Sequence, residues 1–212
     1  MKQALSQERI IDAAIAFADE NGLQALSMRK VAERLGVQAM SLYNHVKNKE
    51  EMIDGMVGRI VEGIYRPDPD GYWKDEIRKR CLSAYGVLMR HSWATQPLVS
   101  RVNTQPVVLH YVDATVGCLY KAGFPIGVCD HAWNLIDSHL YGYTLQALNF
   151  PFESDEYAEV AEGYIDMIPE DVFPYLNKMA RAVISGEHNG IHDFEFGLDL
   201  ILDSLEMRLP TA

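Results

Sequence analysis

The sequence predicts an all-α protein, with a three-helix N-terminal helix-turn-helix domain followed by a larger helical C-terminal domain. The first 50 residues carry apolar side chains at helical spacing between residues that cap helices. A Gly-containing turn separates two of these short helices. Further along, residues 126–149 form a long and almost fully apolar helical stretch, which must be buried on most sides.

The first two helices are delimited by their capping residues. Ser6 is suited to cap a helix that Asn21 and Gly22 end, with Ile10, Ala14 and others facing inward. Ser27 is suited to cap a second helix, which Gly36 ends in the left-handed conformation.

A third and a fourth helix follow directly. Residues 38–45 suit a short helix anchored by Leu42 and Val46, and residues 49–64 suit a longer one. The second and third helices, joined by the turn at Gly36, make a helix-turn-helix, in which the second helix of the pair enters the major groove of DNA.

The C-terminal domain begins after a helix-breaking link, Tyr65–Gly71, which holds two prolines and a glycine. We expect helices over residues 73–90, 104–122, 126–149, 155–167 and 169–184. A loop at 185–190 follows, and a last helix then extends to about residue 208. The predicted division is a DNA-binding domain at 1–48, a connecting helix at 49–64 and a ligand-binding and dimerisation domain at 65–212.

Charge is distributed unevenly along the chain. The net charge of -11 disfavours a nucleic-acid partner, because DNA phosphates attract lysine and arginine. Residues 1–50, however, carry a net +1 and the remainder -12, and the segment 29–49 alone carries +4. This asymmetry is expected when one end of a protein meets DNA, although a solvated helix face has the same pattern.

The side chains around the third helix suit the reading of DNA. Gln38 is able to bond adenine, Ala39 and Met40 offer contacts to thymine methyl groups, and Asn44 is placed to reach a further base. Arg29 suits either a guanine or a phosphate. Donors for phosphate oxygens are Ser27, Ser41, Tyr43, His45 and Lys49.

The run LSMRKVAERLGVQAMSLYNHVKNKEEMIDGM, residues 26–56, resembles the DNA-binding domain of the tetracycline-repressor (TetR) family, most closely in LYNHVKNKEEM. The C-terminal FEFGLDLILDSLEMRL, residues 194–209, resembles the last helix of the tetracycline repressors. The resemblance implies base or groove contacts for Arg29, Gln38, Ala39 and Met40, and phosphate contacts for Ser27, Ser41, Tyr43, His45 and Lys49.

The last helix also carries a broad apolar stripe. Such a stripe suits either the core of the chain or a seam between two chains, and the resemblance implies a four-helix interface formed with the 126–149 helix. A homodimer carries two helix-turn-helix domains, and such a dimer reads a pseudo-palindromic operator in double-stranded DNA. The residues predicted for this interface are Leu140, Phe194, Gly197, Leu198, Ile201, Leu202 and Leu205.

A small-molecule pocket is expected among the middle helices, where aromatic residues are dense and a few polar groups accompany them. Aromatic residues at helical spacing also fill ordinary cores, so both interpretations remain open. The predicted ligand contacts are Arg80, Tyr85, Met89, Trp93, His110, Tyr111, Trp133, Asn134, Asp137 and Tyr141.

The resemblance does not extend to the drug contacts of the tetracycline repressors. A histidine, a polar contact and an aromatic contact of that family fall near Val99, Gly142 and Ala84 in this sequence. We therefore expect an effector other than a tetracycline–magnesium complex, and a more apolar one.

Metal, cofactor and catalytic motifs are not evident. Cys129–His131 and the pair His188 and His192 are the clustered ligand types, but Gly190 interrupts the second pair, and solvated loop histidines are the simpler interpretation. No phosphate-binding glycine loop, G-x-S-x-G or H-E-x-x-H is present. We expect no cofactor and no enzymatic activity.

We expect a cytoplasmic protein, for three reasons. Its three cysteines lack the spacing of a disulfide framework, its N-terminus lacks the apolar core of a signal peptide, and no stretch of the sequence is suited to span a membrane. The predicted function is sequence-specific regulation of transcription, by a repressor that a small molecule releases from its operator. A DNA-binding activator or partner-responsive regulator is the alternative, and a small helical enzyme is a distant third.

Overall fold

The N-terminal helices begin and end where their capping residues predict. The first helix, α1, spans Gln7–Asn21, and α2 spans Met28–Leu35. The hydroxyl oxygens of Ser6 and Ser27 each accept a hydrogen bond at 3.3 Å from the backbone N–H three residues later. Gly36 ends α2 with φ of 67°, a left-handed conformation that glycine adopts without strain. The computed structural model describes residues 4–152, 156–188 and 193–209.

The third helix is shorter than predicted. It covers only Ala39–Leu42 as α3 and continues as turns, in which His45 N–H donates to the Leu42 carbonyl at 2.9 Å. Its first residue lacks a side-chain cap, whereas α4 (Lys49–Glu62) is capped by Asn48, whose Oδ1 accepts from a backbone N–H at 2.8 Å. The capped helix propagates over 14 residues and the uncapped one does not.

The regular secondary structure described in the C-terminal part is entirely helical. The helices predicted there are confirmed, with α7 and α9 beginning later and α10 later still. One helix, α6, was not predicted. The elements are α5 (Trp73–Arg90), α6 (Thr95–Ser100), α7 (Pro106–Lys121), α8 (Ile126–Leu148), α9 (Tyr157–Tyr164), α10 (Pro174–Ile184) and α11 (Phe194–Glu206).

The helix α4 contacts both the C-terminal helices and the N-terminal head, which is formed by α1, α2 and α3. It packs on α1 at Gly55, where an added Cβ would lie 2.5 Å from the side chain of Ile11. Its other side packs on α7, with Gly58 facing Val107. Both glycines allow close approach, so α4 forms a continuous connection from the head to the core.

Two compact units make up the chain. One combines residues 1–148 with 197–212, and the other comprises residues 149–196. The head and the helices α5, α7 and α8 therefore belong to the same unit. The sequence-based division at residues 48 and 64 stays a prediction. Contacts of α4 with α1 and with α7 cross both of these boundaries.

The smaller unit is built on two helices that pack together, α9 and α10. The side chain of Asn177 is buried there and donates a hydrogen bond to the Ile168 carbonyl at 2.7 Å, which ties α10 to the turn that follows α9. This bond satisfies a polar group that would otherwise destabilise the small core.

The three cysteines, Cys81, Cys118 and Cys129, are buried and unbridged. Burial raises the pKa of the Cys81 thiol to about 11, so it stays protonated at neutral pH. Among the described residues, no helix has the length and apolar character needed to cross a membrane.

Candidate DNA-reading surface and ligand cavity

The helix α3 has both polar and apolar side chains on its exposed side, and two buried side chains near its end hold it in place. Leu42 and Val46 are almost completely buried and fix the helix on the head. On the outer side, Met40 is 73% exposed and Gln38 is exposed as well. Both side chains are therefore accessible to a partner surface.

The other residues predicted to contact DNA surround these two. Tyr43, Asn44 and His45 are exposed on the turns that follow α3. Ala39, Ser41 and Lys49 are partly covered. Ser27 is half-buried, and its hydroxyl oxygen already caps α2, so the hydroxyl proton is what it has left to donate.

Arg29 is engaged in the free head. Its Nε donates to Glu33 Oε1 at 2.9 Å, and Lys30 lies 3.7 Å from the other carboxylate oxygen. The hydrogen bond from Arg29 lowers the pKa of Glu33. A contact from Arg29 to DNA therefore exchanges one exposed ion pair, a weak interaction, for another.

A cavity of about 220 Å³ lies in the larger unit, between α4, the segment that links α6 to α7, α7 and α8. From α8 it is lined by Trp133, Asp137 and Tyr141, which lie four residues apart and so share one helix face. Tyr111 of α7 also lines the cavity. Four residues predicted as ligand contacts are thus brought together.

A buried ion pair braces this wall. The side chain of Arg80 is fully buried, and its Nη2 donates to Asp137 Oδ1 at 2.7 Å. Trp133 Nε1 donates to Asp137 Oδ2 at 2.8 Å. The Tyr111 ring lies 4.9 Å from the guanidinium carbon of Arg80. Burial raises the pKa of Tyr111 and of Tyr141, so both phenols are neutral at physiological pH.

Arg101 joins the cavity to α4. It lines the cavity, and its guanidinium donates to Asp54 at 2.7 Å and also to Glu50. These hydrogen bonds to Glu50 and Asp54 raise the pKa of Arg101. Since α4 begins at Lys49, directly after residues predicted to contact DNA, these hydrogen bonds join the cavity wall to the helix that follows the head.

A second link between α1 and the C-terminal helices involves Trp93. Its Nε1 donates to Asp19 Oδ1 at 2.7 Å, and His91 Nδ1 lies 2.8 Å from the same oxygen. Trp93, predicted as a ligand contact, is therefore placed away from the cavity and connects α1 to the residues that follow α5.

Five further residues predicted as ligand contacts do not line the cavity. Arg80 contacts it only indirectly, through Asp137 and the ring of Tyr111. Tyr85 packs against the ring of Tyr143 at 5.7 Å, and Met89 is partly buried elsewhere. His110 and Asn134 are exposed.

Several lining residues were missed by the sequence reasoning. Most are aliphatic, and their helical spacing is the same as that of any core residue. Arg101 and Asn103 lie outside the helices, where the sequence offers no periodic signal. The missed residues are Val61, Ile64, Leu98, Arg101, Asn103, Val108 and Val112.

The residues predicted for the dimer interface are mostly covered within the single chain. Leu140, Leu198, Leu202 and Leu205 are 0–6% exposed, and Phe194 is buried too. Gly197 allows the chain's own His139 to approach, since an added Cβ would lie 2.5 Å from the imidazole. Ile201 is partly exposed. Large exposed apolar side chains of α8 and α11 are Ile126, Leu135, Leu145, Phe196 and Leu200.

No cluster of three or more His, Cys, Asp or Glu residues suited to a metal ion occurs in the described part of the chain. Cys129 is buried, whereas His131 is exposed. His188 is exposed as well, and its predicted partner His192 lies outside the described residues.

Family models match both parts of the chain. Residues 10–56 match bacterial regulatory proteins of the tetR family, and residues 66–209 match the tetracyclin repressor-like C-terminal domain. The chain is 29% identical to the HTH-type transcriptional repressor DrrR1 of Streptomyces coeruleorubidus, over 97% of this chain and 79% of that protein. It is 27% identical to the class C tetracycline repressor protein of Escherichia coli, over 98% and 94% of the two chains.

The fold is also similar to solved structures. The TetR family protein ActR of Streptomyces coelicolor, in complex with actinorhodin, superimposes with a TM-score of 0.81 at 26% identity. The similarity covers 99% of this chain and all of that one, so it includes both the head and the C-terminal helices.

Proposed function

Because the chain belongs to the tetR family of bacterial regulatory proteins, and is thus a DNA-binding transcriptional regulator, we propose how it works. It is a homodimeric repressor that binds a pseudo-palindromic operator and leaves it when a small molecule enters the cavity. The observation that carries the proposal is the position of Arg101, which lines the cavity and binds two carboxylates of α4.

The operator is read by α3 and its flanking residues. Gln38, Ala39, Met40 and Asn44 contact base edges, with Arg29 at a base or phosphate. Ser27, Ser41, Tyr43, His45 and Lys49 contact phosphates. The exposure of Met40 and Gln38 above the buried anchor Leu42 supports this assignment.

Dimerisation uses α8 and α11, as the apolar pattern predicts. Leu200 of α11 is 57% exposed and Leu135 of α8 is 49% exposed, so both remain available to a second copy of the chain. Leu198 and Leu202 stabilise the interface from beneath, because they are already buried within one chain. A two-fold dimer places two heads on successive turns of the same DNA face.

Release follows from a change in the spacing of the heads. A ligand that displaces Arg101, or draws it closer, changes the restraint that Glu50 and Asp54 receive, and so the tilt of α4. The ligand must bind the DNA-incompetent form more tightly for this to occur, and coupling of about 1 to 3 kcal/mol is typical of such linkage.

The effector is a small organic molecule rather than a tetracycline–magnesium complex. The drug contacts of the tetracycline repressors fall near Val99, Gly142 and Ala84 of this chain, and none of these three residues lines the cavity. That ActR has been solved with actinorhodin supports an organic ligand in the C-terminal helices.

The protein acts in the cytoplasm, where the operator is found, and it has no enzymatic role. A regulator that activates transcription, or one that answers to a partner protein, would share the head but not the response to small molecules. Binding of a small molecule in the cavity would distinguish the two possibilities, since only a ligand-responsive repressor needs it.

The test has two stages. Purified protein first selects duplexes from fragmented genomic DNA, and the recovered complex is then challenged with a library of small aromatic molecules. We expect at least one compound to release the wild type but not Val112→Phe, which fills the cavity. Retention of the wild-type complex through the whole library would overturn release by a small molecule.

A further inference from the structure

The chemistry of the cavity restricts what can enter it, and this inference rests on the proposed function. Its most polar wall is Asp137, with 15% of the side chain exposed, between the aromatic side chains of Trp133 and Tyr141. Aromatic side chains on both sides of a carboxylate are suited to an aromatic ligand that makes an oriented hydrogen bond.

The charges at the cavity leave no cation for an acidic ligand. The described residues that line it include one cation, Arg101, which binds Glu50 and Asp54. The neighbouring Arg80 is fully buried and binds Asp137. Two cations and three carboxylates are therefore engaged with one another. A negatively charged ligand would have to displace one of these pairs, at a high desolvation cost.

Two hydrogen-bond acceptors at the cavity, Asp137 and Asn103, are able to accept further hydrogen bonds. Each oxygen of Asp137 receives one hydrogen bond, and a carboxylate oxygen is able to accept more than one. Asn103 lines the cavity and donates through Nδ2 to the Leu98 carbonyl at 3.1 Å, but its buried Oδ1 has no partner among the described residues. The unpartnered donor nearby, Arg80 Nε, belongs to a side chain that does not line the cavity.

We propose that the effector is an aromatic molecule without negative charge, and that its hydroxyl group donates a hydrogen bond to the Asp137 carboxylate. The ring lies between Trp133 and Tyr141. A second donor on the ligand, where present, satisfies Asn103 Oδ1. The carboxylate selects the hydroxyl and repels acids, so a single residue sets both the orientation and the class of the ligand.

The test uses three matched probes and isothermal titration of the full-length protein. 2-Naphthol carries the donor, 2-methoxynaphthalene has the same shape without it, and 2-naphthoate replaces it with an anion. We expect 2-naphthol to bind about tenfold more tightly than the methoxy analogue, as a hydrogen bond to a charged acceptor provides. 2-Naphthoate should bind more weakly than either.

Variants assign the preference to its cause. The double variant Arg80→Met, Asp137→Leu removes the carboxylate without leaving a buried charge unpaired, and we expect it to fold and to bind 2-naphthol and 2-methoxynaphthalene equally. Asp130→Asn, at an exposed site on the same helix, should keep the wild-type preference. Val112→Phe should abolish the binding of all three probes.

Four results would overturn the inference: tight binding of 2-naphthoate, equal binding of the two neutral probes, no binding of any probe, or a preference that persists in the double variant. A different result would overturn the proposed function alone. If 2-naphthol binds with the expected preference but a saturating concentration leaves DNA affinity unchanged, the cavity chemistry is right and release by such a ligand is wrong.

Discussion

Arg101 and Asp54 are joined by two hydrogen bonds, in which Nε at 3.2 Å and Nη2 at 2.7 Å share one carboxylate oxygen. The side chain of Arg101 is 24% exposed and that of Asp54 is 38% exposed, so the pair is only partly screened by solvent. It connects the cavity wall to the helix that carries the head, and this connection is where the proposed release begins.

Replacing Arg101 by methionine should uncouple the two sites. We expect Arg101→Met to bind operator DNA within about threefold of wild type, but to need roughly tenfold more effector for release, within the range of typical coupling energies. Fluorescence anisotropy of a labelled duplex measures both. Arg59→Met is the matched control, since Arg59 also forms exposed ion pairs on α4 but does not line the cavity. Unchanged release in Arg101→Met would contradict the coupling.

Removing Tyr43 should weaken binding to every duplex. Tyr43 is 47% exposed beside α3 and is assigned to a phosphate, which carries no sequence information. We expect Tyr43→Ala to lower affinity for operator and unrelated DNA by similar factors, as measured by filter binding at one fixed salt concentration.

Replacing Met40 should instead change the preference among sequences. Met40→Ala removes an apolar contact to a base, and we expect discrimination at one position of each half-site to fall by about 1 to 3 kcal/mol. Selection from a randomised duplex library reads this out. A uniform loss of affinity with unchanged sequence preference would sink the assignment to bases.

Two leucines of α11 should respond differently to the same substitution. Leu200 is 57% exposed, so Leu200→Glu should leave the subunit folded but yield monomers in sedimentation. Leu202 is 1% exposed, so Leu202→Glu buries an unpaired charge and should unfold the chain rather than separate it. A stable, folded dimer from Leu200→Glu would place the seam elsewhere.

Removing one partner of the Arg80–Asp137 pair should lower the free energy of unfolding more than replacing both partners by apolar residues. Arg80→Met leaves the Asp137 carboxylate without its cation, and we expect a loss of about 3 to 5 kcal/mol in the free energy of unfolding. The double variant Arg80→Met, Asp137→Leu should recover most of this loss. Urea denaturation of the wild type, both single variants and the double variant completes the cycle; additive losses would mean that the pair is not coupled.

Glu76 should make the stability depend on pH in the acidic range. Its carboxylate accepts hydrogen bonds from the Asp68 N–H at 2.9 Å, Lys79 at 2.8 Å and Tyr65 at 2.6 Å. These bonds, the Asp68 N–H first, lower its pKa to about 2 from 4.5. Because the folded-state pKa is the lower one, the stabilisation is complete above about pH 4.5 and disappears as the pH falls towards 2.

Glu76→Gln isolates this contribution. At pH 7 we expect the variant to be less stable than the wild type by on the order of 3 kcal/mol, and the difference to shrink as the pH falls from 4.5 to 2. Urea denaturation at several pH values measures it. A difference that does not vary with pH would assign the role of Glu76 to shape rather than charge.

The head was predictable from the sequence because its signals are local. Ser6, Ser27 and Gly36 act within one turn of their own helices, and the structure confirms the boundaries that they indicate. The length of α3 was overestimated, because Leu42 and Val46 have helical spacing although the helix lacks a side-chain cap and ends at Leu42.

The cavity was predictable only in part. Trp133, Asp137 and Tyr141 share a helix face, so their spacing alone brings them together. Arg101 lies in a segment without periodicity. Its partners Glu50 and Asp54 are about 50 residues away along the chain, and only the packing of α4 brings them close to Arg101 in space. Periodicity likewise does not distinguish a stripe buried within one chain from a stripe buried between two, as the leucines of α11 illustrate.

The most direct test of the central claim is a thermodynamic cycle between DNA and effector. The Kd for the selected operator duplex is measured with and without saturating effector, and the Kd for the effector with and without duplex. We expect each ligand to weaken the binding of the other by the same factor, roughly 5- to 150-fold. Identical values of Kd in the presence and absence of the other ligand would contradict it.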